Sequence, residues 1–294
     1  MLESGQMTRG QKPDHRINLY RDDLAAAHLR GEVEATRFVD GEDLQVKLPL
    51  VPILRAPDAS APMETQLLFG EVFRVYEEKD GWAYGQSAQD DYVGYVDMKA
   101  LAPRLYQPTH VVAALRSFIY PKPDLKTRPA LPLGLNAKVK VVAARGEYSE
   151  IERGGFIFTA HLAPIGAHVR DFVSVAEELR GTPYLWGGRD SLGLDCSGLV
   201  QATLERAGIS SLRDTDMQEA TLGEALPEPI DFTTLKRGDL VFWKGHVGIM
   251  LDREHLIHAN AYHMRVDVER LDIAMSRIAR SAGHVTSIKR LAKR

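Results

Sequence analysis

The chain has 294 residues, 44% hydrophobic and 26% charged, with a formal net charge of −3 at pH 7 and a sequence pI of about 6.4. That composition belongs to a globular protein long enough for two or three domains, each with its own core. It excludes a nucleic-acid binder, which would carry a basic stripe, and no apolar run approaches the length of a membrane span.

Residues 1–12 are polar and aperiodic and are expected to be disordered; they lack the apolar stretch of a secretory signal, so a cytoplasmic location is expected. A short helix is predicted around Arg21–Leu29, which is rich in Ala and Leu, ending at Gly31. With the residues up to 39 it forms an N-terminal tail and helix. From 40 to 104 the texture changes to short strands: Leu44–Leu48, Val51–Leu54, Gln66–Phe69, Val72–Tyr76, Trp82–Gly85 and a last one through Asp90–Val96. Gly, Asp and Pro punctuate them, as in a small β-barrel. A weaker copy is predicted over 105–166, with strands at Val111–Leu115, Ser117–Tyr120, Lys138–Val142, Tyr148–Ile151 and Phe156–Phe158.

The region 167–294 reads differently. Val169, Phe172, Val173, Ala176 and Leu179 follow helical spacing until Gly181-Thr182-Pro183. A second helix carries Cys196, Leu199, Val200, Thr203, Leu204 and Ala207 on one face and stops at Gly208. Strands are expected at Leu240–Trp243, Val247–Leu251, Leu256–Ala259, Arg265–Val268 and Val285–Leu291; the basic residues Lys289–Arg294 read as the solvated end of the last one. Helices followed by strands predict an α+β fold with an antiparallel sheet.

The single cysteine excludes an intramolecular disulfide and a cysteine-based metal cluster. A lone cysteine is either a small buried hydrophobe or a reactive thiol. Its neighbourhood favours the second. Asp195 is a good N-cap, which places Cys196 in the first helical turn. There the helix dipole and free N–H groups favour a thiolate and can hold an oxyanion. A thiolate needs a base, and His246 follows the Gly245 turn at the mouth of an apolar strand. A turn near Asp252–Glu254 brings His258 within a residue or two of opposite His246, where it can orient the ring; Asn260 is the alternative for that part. A two-histidine zinc site lacks further suitably spaced ligands, and catalytic zinc ordinarily takes three from the protein. No metal or cofactor is expected.

Five segments carry a family resemblance: Pro183-Tyr184-Leu185-Trp186-Gly187-Gly188, Asp195-Cys196-Ser197-Gly198-Leu199-Val200, Arg237-Gly238-Asp239-Leu240-Val241-Phe242-Trp243, Gly245-His246-Val247-Gly248-Ile249 and Ile257-His258-Ala259. Together, in this order, they resemble the NlpC-type cell-wall peptidases over roughly 168–290. The resemblance implies a trimmed papain-like fold, a Cys196-His246-His258 triad, and hydrolysis of the bond between D-glutamate and a diamino acid in peptidoglycan peptides. The two β segments resemble bacterial SH3-like barrels. The whole arrangement is similar to recycling-type γ-D-glutamyl-L-diamino acid endopeptidases, which require a free N-terminal L-Ala. That likeness implies that Tyr184, Asp195 and Ser197 line the cleft and bind the amine end. It places Thr215 in the next substrate loop, Glu64 on the amine, and Tyr92 as a wall against longer substrates. A cationic amine calls for carboxylates, and a site built for a charged group rejects analogues lacking it. Two other outcomes stay open at this stage: an inactive module that binds wall peptides, and an amidase or acyltransferase acting on a different bond. The sequence leaves the oligomeric state open.

Overall fold

The structure, a computed structural model, describes residues 12–103 and 105–292; most of the N-terminal stretch expected to be disordered lies outside them. The expected helix around Arg21–Leu29 is not formed. Leu24–Ala26 is instead a strand paired in parallel with Arg37–Val39, and a single 3-10 turn, Ala27–Leu29, follows it. Leu24, Ala25 and Ala26 are fully buried, and Leu24, Ala26 and Leu29 pack with Leu19 and with Tyr84 of the adjoining sheet. Helix propensity is a weak preference that such burial overrides. The segment is also tied down by its backbone: Val93 N–H donates to the Arg16 carbonyl at 2.8 Å, and Gln86 Nε2 to that of Ile17 at 2.9 Å.

The first β unit is a seven-stranded antiparallel sheet whose order begins Met63–Leu68, Leu50–Leu54, Val93–Asp97 and continues through Trp82–Ser87, Val72–Lys79, Glu42–Val46 to Leu101–Ala102. Its inward residues, among them Val46, Ile53, Leu67, Phe73 and Val96, form one core. Asp80 and Gly81, at φ 51° and 81°, make the tight two-residue turn between Val72–Lys79 and Trp82–Ser87. The second β unit is more fragmented, with two three-stranded sheets and a hairpin. One of its strands, Leu131–Gly134, was not foreseen; Pro132 within it cannot donate to a ladder, which masks the pattern. Phe69 of the first unit enters the second unit's core beside Val112, Leu133 and Val139.

The C-terminal unit is α+β. Helix α1 spans Phe172–Glu178, starting three residues later than the periodicity of Val169 indicates because Asp171 caps it, accepting from Val173 N–H at 3.0 Å. Helix α2 spans Cys196–Arg206, and Gly208 at φ 71° lies just past its end. A six-stranded antiparallel sheet runs Glu224–Ala225, Ser287–Arg290, Leu240–Trp243, His246–Met250, His255–Asn260, Arg265–Arg270. One face covers α1 and α2 through Leu199, Val200, Val247, Ile249 and Ile257. The other buries Trp243, Met250 and Leu256 against helix α4, Leu271–Ala282, through Leu271, Ala274 and Ile278. Helix α4 was not foreseen. Nor was α3, Thr215–Thr221, a segment expected to be a loop.

A buried ionic junction fixes the three units to one another. Arg189, 1% exposed, donates to Glu71 at 2.9 Å and Glu205 at 3.2 Å, while Lys138 lies 3.3 Å from Glu205 and 3.6 Å from Glu71. Burial alone would raise the Glu71 carboxyl, but Arg189 and Lys138 outweigh it and hold the group below its ordinary range. Asn136 Nδ2 adds a 2.9 Å bond from the second β unit to the Ala202 carbonyl of α2. Among the described residues, no helix is long and apolar enough to cross a membrane.

Candidate active site

Cys196 is the first residue of α2. The Asp195 side chain caps that helix, accepting the Gly198 N–H at 2.7 Å. Gly198 is required here: a Cβ would meet the Gly188 carbonyl oxygen at 2.0 Å, so only glycine lets the glycine turn at 187–188 approach the helix start. Cys196 is 7% exposed and opens onto a cleft of about 710 Å³ between the C-terminal unit and the first β unit.

Thr215 Oγ1, on the first residue of α3, lies 3.8 Å from the Cys196 sulfur. Burial first, and then the Asp195 carboxylate, push the thiol up to about 11, against the pull of Val247 and Ser197 N–H groups and of Thr215. The helix start is expected to favour a thiolate over a thiol. The helix N-terminus does act in that direction, but burial and an adjacent carboxylate win.

His246 follows a two-residue turn, Lys244-Gly245, with Gly245 at φ 73°. It begins the strand whose next residue, Val247, has a backbone N–H that pulls the Cys196 thiol down. The turn after Met250 then pairs that strand with His255–Asn260, setting Ile249 opposite Ile257. His246 Nε2 and His258 Nδ1 are 2.8 Å apart. Burial, reinforced by His258, pushes His246 down to about 3, and His258, fully buried, is lowered for the same first reason although Glu269 opposes it. Burial thus disfavours the charged form of all three groups. Among the described residues no group of three or more His, Cys, Asp and Glu is placed to hold a metal ion.

Tyr184, Asp195, Ser197, Thr215, Glu64 and Tyr92 all border the cleft. Their states differ. Asp195 accepts from Gly187 N–H, Gly198 N–H and Ser197 Oγ, and from two nitrogens of Arg213. Glu64 is paired with Arg55, whose side chain is 68% exposed. Tyr92 Oη donates to Asp214 Oδ2 at 3.2 Å.

Several residues at this site escaped the reading of the sequence. His15, Arg16, Tyr20 and Arg21 bring the N-terminal segment into the cleft wall. Arg16 reaches Asp214 at 2.9 Å and Asp216 at 2.7 Å, on either side of Thr215. Behind the histidines, His258 Nε2 lies 2.7 Å from Glu269 Oε2, and Arg277 of α4 binds the same carboxylate. The register of the 265–270 strand, with His258 opposite Asp267, was the available signal for Glu269, which sits two residues further along.

Comparison with known proteins adds to this geometry. Residues 181–279 match the NlpC/P60 family, and residues 53–101 match the bacterial dipeptidyl-peptidase Sh3 domain. The probable endopeptidase NlpC of Escherichia coli (strain K12) is 36% identical over 112 residues, 33% of this chain and 70% of that protein. A gamma-D-glutamyl-L-lysine dipeptidyl-peptidase of Bacillus cereus is 25% identical over 239 residues, 70% of either chain. The crystal structure of an NlpC/P60 family protein from Bacillus cereus aligns with a TM-score of 0.71 at 18% identity, covering 85% of this chain and 99% of that one. That last likeness is one of fold.

Proposed function

This chain belongs to the NlpC/P60 family, and from that membership we propose that it is a cysteine endopeptidase. Its substrate in this reading is a peptidoglycan-derived peptide with a free N-terminal L-Ala, cut between γ-D-glutamate and the diamino acid, as in murein peptide recycling. The observation that carries the proposal is the convergence of the Cys196 helix start, the His246–His258 pair on adjacent strands and a walled cleft leading to the sulfur.

Cys196 attacks the γ-carbonyl of D-Glu while His246 takes the thiol proton. The N–H of Cys196, first in its helix, has no intrahelical partner and is available to the oxyanion. His246 then gives its proton to the leaving amine, and the C–N bond breaks to leave a thioester. A water molecule, deprotonated by His246, cleaves the thioester and restores the thiol. His258 orients the His246 ring throughout. The barrels at 40–104 and 105–166 and the peptidase domain at 167–294 are the domain division that goes with this proposal.

Amine recognition falls to the carboxylates of the cleft. Both oxygens of Asp195 are already occupied by Arg213, so its part is to hold the Ser197 end of the site in place. Glu64 is better placed to take an added ammonium, because its partner Arg55 is largely in solvent and is displaced at little cost. Tyr184, Ser197 and Thr215 line the path to the sulfur, and Tyr92 with the N-terminal segment closes the end beyond the amine.

Mass spectrometry of L-Ala-γ-D-Glu-meso-diaminopimelate tests this reading. Release of L-Ala-D-Glu by the wild type, its absence with Cys196→Ala, and loss of cleavage when the substrate is N-acetylated are the expected results. Equal cleavage of the acetylated peptide would overturn the amine site, and no cleavage of either would overturn the peptidase reading.

A further inference from the structure

We propose that Glu269, held by Arg277, is a positioning residue that fixes the tautomers of both histidines and so turns the lone pair of His246 toward Cys196. This rests on the peptidase reading of the site given above. Glu269 stands on the outermost strand of the sheet, beyond His258, and its Oε2 is 2.7 Å from His258 Nε2. Burial works against its charge, but hydrogen bonds from His258 and Arg277 outweigh it and take the carboxyl down to about 2. Glu269 is therefore an acceptor only, and the proton in that bond sits on His258 Nε2.

His258 is fully buried, and burial favours the neutral ring. A neutral imidazole has one N–H, so His258 Nδ1 is an acceptor. The nitrogen 2.8 Å from it, His246 Nε2, must then be the donor. His246, also neutral, is left with its lone pair at Nδ1, the nitrogen available to a thiol proton. When that proton arrives, His246 becomes a cation hydrogen-bonded through His258 to a carboxylate, which stabilises it.

Arg277 makes the carboxylate indispensable rather than merely helpful. Its Nε donates to Glu269 Oε1 at 3.3 Å and its Nη2 to Oε2, and the guanidinium lies over the Tyr262 ring at 4.6 Å. The charged and titratable groups facing His258 are His246, Glu269, Arg277 and His263. Without Glu269, the nearest strong donor to His258 Nε2 is Arg277, which would demand a lone pair there. Both tautomers would reverse, and His246 would turn an N–H toward the thiol.

Two readouts test this. The first is ¹⁵N NMR of the free wild-type chain labelled at histidine. Protons on Nε2 of both His246 and His258 are expected; a proton on Nδ1 of either would overturn the proposal. The second uses variants. Glu269→Gln keeps an acceptor oxygen and should keep both tautomers, whereas Glu269→Ala should move the protons to Nδ1. On the peptide above, Glu269→Ala should lower kcat by about 10- to 100-fold, the range found when the outer partner of a metal-held histidine is lost, with KM nearly unchanged. Glu269→Gln should lose less and should shift the acid limb of kcat to lower pH, since removing a negative charge lowers the pKa of the histidine pair. A purely structural role would scale kcat and leave the pH profile in place, and that result, or wild-type kcat in Glu269→Ala, would overturn the proposal. A wild type that fails to cut the peptide would count against the peptidase reading alone, because the NMR arm needs no turnover.

Discussion

Arg213 and Asp195 form a two-point ion pair next to Cys196, Nη2 to Oδ2 at 2.6 Å and Nη1 to Oδ1 at 3.0 Å, with the Arg213 side chain 1% exposed. The same guanidinium donates to Ser197 Oγ at 2.8 Å and, through Nε, to Thr65 Oγ1 of the first β unit at 2.8 Å. One buried cation thus ties the start of α2 to the barrel that walls the cleft.

Removing that cation leaves Asp195 buried without its counter-charge, although Gly187 N–H, Gly198 N–H and Ser197 Oγ still donate to it. Arg213→Met should destabilise the protein by about 3–5 kcal/mol, the usual cost of breaking a buried pair from one side. Replacing both partners, Arg213→Met with Asp195→Asn, should recover most of that loss, since Asn still caps α2 and no charge is stranded. Urea unfolding of the two variants beside wild type measures the difference. Equal losses in the single and double variants would show that the pair's charge is not what matters.

The raised thiol predicts an alkylation profile. With Cys196 pushed up to about 11 by burial and Asp195, the free enzyme holds little thiolate at neutral pH. Its reaction rate with iodoacetamide should climb by about tenfold per pH unit between about pH 6 and 9, following the thiolate fraction. A plateau across that range would mean that a thiolate–imidazolium pair already exists at rest.

The histidine relay makes stability fall on the acid side. His246 and His258 are lowered from 6.5, the former to about 3, and Glu269 is lowered from 4.5 to about 2. Each group releases its proton more readily in the folded chain, so the unfolded chain binds more protons and stability rises with pH. The histidine contributions are complete above the unfolded value of 6.5 and drain away as pH falls toward 3; that of Glu269 is complete above 4.5 and drains toward 2. The urea midpoint of wild type should decline from pH 6.5 downward, and His258→Gln should decline less steeply between 6.5 and 4.5. Parallel curves for the two proteins would remove the histidines from the cause.

How much of this site could be read beforehand depended on whether its signals were local. Cys196 and its cap are adjacent in sequence, and Gly208 marks the helix end, so α2 was legible. His246 and His258 are joined by one short turn, which gave their pairing. Helix α4 does carry an apolar stripe, Leu271, Ala274 and Ile278, but Ile273 is 55% exposed and blurs the period. The partners of the site residues were hidden for a different reason. Arg213 meets Thr65 and Arg16 meets Asp214 only because separate units dock, and nothing local in either segment announces it. The strand at Leu24–Ala26 is the same case, since its burial comes from Tyr84 of the next unit.

The N-terminal segment supplies the last prediction. Arg16 binds Asp214 through Nη1 at 2.9 Å and Asp216 through Nη2 at 2.7 Å, and so brackets Thr215, whose hydroxyl faces the sulfur. Asp214 also takes the Tyr92 hydroxyl. Arg16 therefore holds the cleft wall together from outside the reacting atoms. These ion pairs are partly exposed, so each is worth well under 1 kcal/mol to stability, and Arg16→Ala should fold normally. Its effect should fall on binding: KM for the tripeptide should rise about 3- to 10-fold, the equivalent of roughly 1 kcal/mol, with kcat within about twofold of wild type. Arg16→Lys should recover little of this, because a single ammonium cannot span two carboxylates as the guanidinium fork does. Steady-state kinetics on the three proteins decides it. A collapse of kcat at unchanged KM would instead mean that Arg16 acts on the chemistry through Thr215, and the segment would be part of the reacting site rather than its wall.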